Sequence, residues 1–572
     1  LPGEMRCWYY GAARGRDTVT TTAAQPIVPP ANFPVAWPAD GMDSLFWTWD
    51  QVHHPHPKTP LSASFEVPCF SQGSSRGFQG LTIPINYRSI VINGYQFDAM
   101  DFTEPADEFP PPWWPNVEQE FMRRLPVLMQ TWEQEYLPEV QAANQRLRDF
   151  DYEGASLAGL LSFVEEAREL RMRAWELHML AVIPALAVGG RFAETYTNLL
   201  GEPEAAEPYL MLGGFENMTV ESGKALWRLS RRAKAEPPLT RIIAETPVER
   251  LPEAIQSSPE GKAFWAEFDA YLQEYGWRSD AFELADPAWT EDPSIALTQL
   301  RELMRAPDES DPALKQAEAM RTRERLVAET RERLDGNEGK PLFEMMLGVA
   351  QQYLPIQENH NFYIDQMNTV LLRKPFLELG RRLAEAGAIV ERDDVFYIRS
   401  DELAEAGTNP TARDWRALVS ERKVERERWS SVVPPRELGT PPSESMRQNP
   451  VGAAFFGTKV EPSSDPKVIN GIGASAGTVT APARIVRSLS EAGKLQPGDI
   501  LVCEMTMPAW TPLFASVAAV VSDSGGVLSH CAIVAREYGV PCVVGTQVGT
   551  QVLKDGQRIT VDGAQGIVRI EG

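Results

Sequence analysis

The run SDSGGVLSHCAIVAREYGVPCVVGT, residues 522–546, places one histidine, His530, between a small-residue loop and an apolar helix. Ser529 stands where a helix cap would. The first-turn amides of such a helix lack partners and carry the positive end of its dipole, so an anion beside His530 is stabilised. Asp523, Ser524, Gly525 and Gly526 supply a close-approaching backbone and side chains that orient an imidazole. A neutral imidazole nitrogen is a competent nucleophile near neutral pH, and a phosphoryl group is the anion that suits this setting. The same local pattern also fits a histidine that only caps or packs.

The elements that must hold this loop are short β-branched runs punctuated by glycine, among them TVTAPARIV, GDILVCE, AAVVSDSGG, CVVGT and QRITVDG. Between them the spacing predicts one helix, Ser529 to Tyr538, stopped by Gly539 and Pro541. Upstream, residues 115–390 repeat apolar side chains three and four apart, as in NVEQEFMRRLPVLMQTWEQEYL, and read as helices. Asn93-Gly94 separates two β-branched runs and predicts a hairpin. Residues 1–60 are rich in Pro and Trp and read as an irregular cover, with Trp47 and Trp49 in a core or interface. SQGSSRGFQG, residues 71–80, lacks the lysine of a phosphate-binding loop and reads as a surface loop. The predicted fold class is multidomain α+β. A large, mainly helical domain with a small β hairpin region spans 1–430, a Pro/Ser-rich linker 431–466, and a β/α domain 467–572.

Composition narrows the partners. The formal net charge of −24, with no basic run, argues against nucleic acid and anionic membranes. Five scattered cysteines suit a reducing compartment better than a disulfide framework. No apolar run of about 18 residues and no signal-peptide pattern is evident, so a cytoplasmic chain is expected. The first residue, Leu1, is not an initiator methionine. His53, His54 and His56 invite a metal reading, but Pro55 and Pro57 force an extended chain there and no metal site is assigned.

The segment Asp523 to Thr546 closely resembles the phosphohistidine signature of the mobile domain of phosphoenolpyruvate-utilising enzymes. GIGASAGTVTAPARIV, LQPGDILVCEMTMPAWTPLF and DGQRITVDGAQGIVRI extend that likeness over 467–572. The resemblance implies a swivelling domain in which His530 carries a phosphoryl group as a covalent intermediate, supported by Ser529, Thr506, Arg536, Gly525 and Gly526. Cys531 stands where a smaller residue is expected and reads as a tolerated substitution. No phosphoenolpyruvate-binding barrel follows, so phosphoenolpyruvate is not the expected substrate. Neither an ATP-grasp domain nor a GxxxxGK[ST] loop is recognisable upstream.

The preceding residues resemble the acceptor-binding domain of the rifampin phosphotransferases and of the large subunit of phenylphosphate synthases. FWTWDQVHHPHPKTPLSASF, ENMTVESGKALWRLSRRAK, YLQEYGWRSDAFELADPAWTEDPS and LLRKPFLELGRRLAEAGAIVERDDVFYIRSDEL carry the likeness. It implies a dikinase-type phosphotransferase component. A separate ATP-grasp subunit would bind ATP and Mg2+ and load His530; AMP and phosphate would be released, and the acceptor would be a small, phenolic hydroxyl. Arg278 and Glu283 match the family pattern as pocket residues. Where antibiotic-modifying relatives carry a cationic pair, this chain reads Gln357-Glu358-Asn359-His360-Asn361. His360 is then the candidate base, with Glu358 or Asp365 setting its tautomer. The rival expectation is a phosphocarrier that passes its phosphoryl group to another protein.

Overall fold

The computed structural model describes residues 25–51, 53–201, 203, 206–279, 282–443, 446 and 460–571. Cys7 therefore lies outside the described residues. Asn93 and Gly94 adopt φ of 52° and 85°, the left-handed turn that lets two strands fold back on each other. Around it, β1 (Phe46–Trp49), β2 (Ile85–Ile92) and β3 (Tyr95–Phe102) form an antiparallel sheet, with Ile92 opposite Tyr95. The fourth strand, β4 (Glu437–Gly439), pairs with β1. It comes from the segment expected to be linker, which corrects that boundary: the helical unit is tied down through Gly439. Three residues are too few to leave an alternation in sequence.

SQGSSRGFQG is not a surface loop either. It is the second half of the helix Pro60–Gly80, and its glycines serve packing. A Cβ on Gly73 would lie 2.3 Å from the Met172 carbonyl oxygen, and one on Gly77 2.5 Å from Met179 Cβ. Only glycine allows this close approach to the helix Leu157–Leu200. That helix starts at Ser156, whose hydroxyl accepts from the Gly159 amide at 3.1 Å. By length and composition it could cross a membrane, contrary to the expectation of no such run, yet 72% of its most apolar window is buried within the chain. It is a core helix. Its Arg171, fully buried, grips Glu66 of the first helix at 2.6 Å and the Ile364 carbonyl at 2.9 Å. One charge-satisfied pair thus clamps three elements around the site.

The C-terminal domain holds β5 (Val468–Asn470), β6 (Ile472–Ser475), β7 (Thr478–Ile485), β8 (Ile500–Cys503), β9 (Ala519–Ser522), β10 (Cys542–Val544), β11 (Arg558–Asp562) and β12 (Ile567–Ile570). Their order is β5-β12-β11-β7-β8-β9-β10-β6. Neighbours from β7 to β10 run parallel, and the helix His530–Tyr538 makes the crossover from β9 to β10. Gly539 ends it at φ 62°, as its position in the sequence predicts. This domain is docked on the helical one. Trp510, Leu513, Phe514 and Tyr538 share a core with Leu226, Trp227 and Tyr271. Gln357 donates to the Leu528 carbonyl at 2.6 Å, and Gln299 to that of Ala509 at 2.7 Å.

Candidate functional site

His530 is the first residue of its helix and faces the domain boundary. Ser529 occupies the cap position but turns its hydroxyl back to the Gly526 carbonyl at 2.8 Å, so the helix start keeps no side-chain cap. Its first-turn amides therefore stay available to an anion. Gly525 takes φ 102°, and a Cβ there would meet the Ser529 hydroxyl at 2.7 Å, so glycine is required for the loop to close. Asp523 anchors the loop from below by accepting from Thr546 at 2.8 Å and from the Thr550 hydroxyl at 2.5 Å.

The imidazole itself has two partners. Nδ1 lies 3.2 Å from Glu358 Oε2, and Nε2 lies 3.4 Å from the Thr511 hydroxyl. A carboxylate only accepts, so Nδ1 carries the proton and Nε2 keeps the lone pair. Nε2 is the nucleophilic atom. Burial pushes the Glu358 carboxyl up, but His530, Thr219 at 2.6 Å and His360 outweigh it and hold the group below the usual carboxylate range. The structure thus moves Glu358 from an expected orienter of His360 to the partner of His530.

The other expected residues divide. Arg278 is buried beside Trp289 and Phe362, 5.3 and 5.4 Å from their ring centres, and among the described residues its Nη1 reaches only the Pro508 carbonyl of the C-terminal domain, at 3.5 Å. Desolvation lowers its pKa, opposed by Tyr271, Tyr275 and Glu358. It is a cation held at the same boundary as His530. Glu283 turns elsewhere, accepting from Thr59 and Ser62, each at 2.6 Å, beside buried Lys58. Among the described residues it forms no ion pair with Arg278. Arg536 is a correction: it donates to the Ala474 carbonyl at 3.0 Å and lies over the Tyr209 ring at 5.5 Å, so it braces the docked helix instead of the phosphoryl position. Thr506 is buried with no hydrogen-bond partner for its hydroxyl. Its neighbour Thr511 takes the place at the imidazole.

His360 sits apart from His530 and has Asp365, not Glu358, beside it. Its Nδ1 lies 2.9 Å from the Ile356 carbonyl and its Nε2 3.4 Å from Asp365 Oδ2, so both nitrogens face the helical core and neither reaches His530. Asp365 also holds His178 Nδ1, at 2.8 Å. His178, absent from the sequence reading, joins His360 and Asp365 in a buried cluster of potential metal ligands. The His53 loop, by contrast, is bound up with Asp50, 3.0 Å from His53 Nδ1.

Comparison with known proteins agrees with this layout. Residues 495–566 match the family described as PEP-utilising enzyme, mobile domain. The chain carries a mobile domain of the phosphoenolpyruvate-utilising enzymes. Residues 178–358 match the rifampicin phosphotransferase fourth domain, so His178 and Glu358 stand at the two ends of that match. The chain is 34% identical over 562 residues to a chondramide synthase of Chondromyces crocatus, covering 96% of this chain and 14% of that one. It is 30% identical over 531 residues to the uncharacterized phosphotransferase YvkC of Bacillus subtilis, covering 92% and 62% respectively. A rifampicin phosphotransferase of Streptomyces sp is 28% identical over 440 residues, covering 75% and 49%. The chain thus spans less than two thirds of the length of each of these relatives. Phosphotransferases are among these relatives, and the mobile domain that residues 495–566 match is one that carries a phosphohistidine intermediate.

Proposed function

We propose that this chain is the acceptor and phosphocarrier portion of a dikinase-type phosphotransferase. ATP and Mg2+ are bound by an ATP-grasp unit outside this sequence, on a partner subunit, which loads His530 and releases AMP and phosphate. The mobile domain then docks as seen here and passes the phosphoryl group to a small, phenolic hydroxyl in the helical domain. The observation that carries this reading is the contact of His530 Nδ1 with Glu358, because it is made across the domain boundary and leaves Nε2 as the transferring atom.

Glu358 keeps a proton on Nδ1 of the phosphorylated ring. When the acceptor oxygen bonds to phosphorus, the P–Nε2 bond breaks and its electron pair returns to Nε2. The leaving group is then a neutral imidazole and not an imidazolate. The hydroxyl proton ends on the vacated Nε2, and the resulting imidazolium is paired with Glu358. Arg278 and the open helix start face the phosphoryl charge, and positioning with charge neutralisation supplies most of the rate. A phenolic acceptor is favoured by the lack of the antibiotic-binding cationic pair at Gln357–Asn361.

The test is to incubate the chain with its ATP-grasp unit and ATP labelled in the β-phosphoryl group. Label stable to base and labile to acid should appear on the wild type and be absent from His530→Ala. Equal labelling of both would refute the assignment. Discharge of the labelled chain by a panel of phenols, aliphatic alcohols and rifamycins then identifies the acceptor class.

A further inference from the structure

His178, His360 and Asp365 come from two separate stretches of chain and meet in the core of the helical domain. His178 lies mid-way along Leu157–Leu200, and His360 ends the helix Lys340–His360. Asp365 follows in Asn361–Asn368, which is wound as a π-helix. On an ordinary α-helix, positions five apart point about 140° away from each other. The wider π winding returns residue i+5 to nearly the face of residue i, and such stretches recur at functional sites. The winding is what turns His360 and Asp365 toward one point.

With His360 neutral, the hydrogen bonding at that point does not close. The Ile356 carbonyl, 2.9 Å from His360 Nδ1, can only accept, so Nδ1 is the protonated nitrogen. A neutral His360 then presents its Nε2 lone pair to Asp365 Oδ2 across 3.4 Å, two acceptors facing each other in a buried site. That separation is longer than the roughly 2.7–2.9 Å of a charge-assisted N–H···O bond. It matches the distance between two ligands of one ion bound at about 2.0–2.1 Å, roughly 3.3 Å in a tetrahedron. The Asp365 Oδ1 to His178 Nδ1 distance, 2.8 Å, falls near the roughly 2.9 Å of right-angled coordination. All three ligand atoms lie within 4.8 Å of one another. The Ile356 carbonyl is the outer hydrogen bond that metal-bound histidines regularly make through their other nitrogen. Next to Asp365, Gln366 is buried with neither its amide nitrogen nor its amide oxygen hydrogen-bonded.

We propose that His178, His360 and Asp365 bind one divalent first-row transition ion of the zinc class. Two imidazoles and one carboxylate leave a coordination position for water or an oxygen ligand, the ligand set of open zinc sites. Binding of the ion stands on this geometry alone. A role in holding the acceptor oxygen would rest on the phosphotransfer reading.

The experiment uses cobalt as the probe. The full chain, stripped by chelator dialysis, is titrated with Co2+ and followed by visible absorption. One equivalent should bind with ligand-field bands of an imidazole-rich site and be displaced by Zn2+. His178→Gln and Asp365→Asn should each weaken binding by at least about 100-fold, since outer-shell losses alone reach 10 to 100-fold. His56→Asn, in the separate histidine loop, should leave it unchanged. Failure of the wild type to bind stoichiometric Co2+ overturns the proposal, whatever the folding of the variants. So does cobalt binding that is retained in both ligand variants. Labelling of His530 is measured on the same preparation, which separates failure of the metal site from failure of the phosphotransfer assignment.

Discussion

His530 and Glu358 are 172 residues apart in sequence and 3.2 Å apart in space, one on the mobile domain and one at the end of a helix in the helical domain. The contact makes the state of the histidine depend on docking. In the docked arrangement it is Glu358, from the helical domain, that fixes the Nδ1 proton. Under the proposed function, loading and discharge are thereby separated in chemistry as well as in position. Removing a hydrogen bond to a charged group costs about 1.5–3 kcal/mol, roughly 10 to 150-fold in rate. Glu358→Ala should therefore load at the wild-type rate and discharge to acceptor 10 to 150-fold more slowly in a single-turnover assay. Equal slowing of both steps would mean that Glu358 only supports the fold.

Much of this was legible in the sequence, for a physical reason. The loop, histidine and helix stop lie within residues 522–546, so local spacing builds them, although Ser529 does not cap the helix with its side chain. The Asn93-Gly94 hairpin is local in the same sense. What the sequence withheld is non-local. Periodicity shows that 340–360 is helical but not that Glu358 faces another domain, and nothing near His178 points to Asp365, 187 residues on. Thr511 lies in the same quoted stretch as Thr506, and only the three-dimensional path decides which hydroxyl meets the ring. Gly73 and Gly77 misled because a glycine that permits close packing looks the same as one that breaks a helix.

The glycine contact is directly testable. Gly73→Ala places a methyl 2.3 Å from the Met172 carbonyl oxygen, which is backbone and cannot rotate away. Overpacking of this kind costs about 1–3 kcal/mol. A lowered midpoint in denaturant unfolding, with an unchanged slope, is the expected result. Gly348→Ala, where no atom lies within 4 Å of the added carbon, should be neutral or mildly stabilising.

Docking should depend on pH through Glu537. Its carboxylate accepts from the Gly214 amide at 2.8 Å, and burial raises its pKa from the usual 4.5 to about 7, although Gly214 and Arg536 pull it down. Glu358 adds to the rise, and Arg323 opposes it. The docked state therefore binds the proton more tightly than a free, solvated mobile domain. Docking gains strength as pH falls through about 7 and levels off below the free value near 4.5. The span is up to about two orders of magnitude in the docking constant. Fluorescence energy transfer between dyes on the two domains should show this rise. Glu537→Gln should flatten it and dock more tightly than wild type at pH above about 7.

Arg278 separates a functional charge from a structural one by the sign of its effect on stability. It is 1% exposed, its Nε has no hydrogen-bond partner, and among the described residues it forms no ion pair. A buried guanidinium in that condition carries a desolvation cost that aromatic contacts offset only in part. If its counter-charge is the phosphoryl group brought by His530, the cost falls on the unphosphorylated protein and is recovered on transfer. Arg278→Met should then melt at the same temperature as the wild type or higher before loading. It should still accept label on His530. Discharge should slow by roughly 10² to 10³-fold, the range for removing one preorganised donor from a developing charge. A variant that melts lower and discharges at the wild-type rate would make Arg278 a packing residue beneath Pro508, and the phosphoryl charge would rest on the helix start alone.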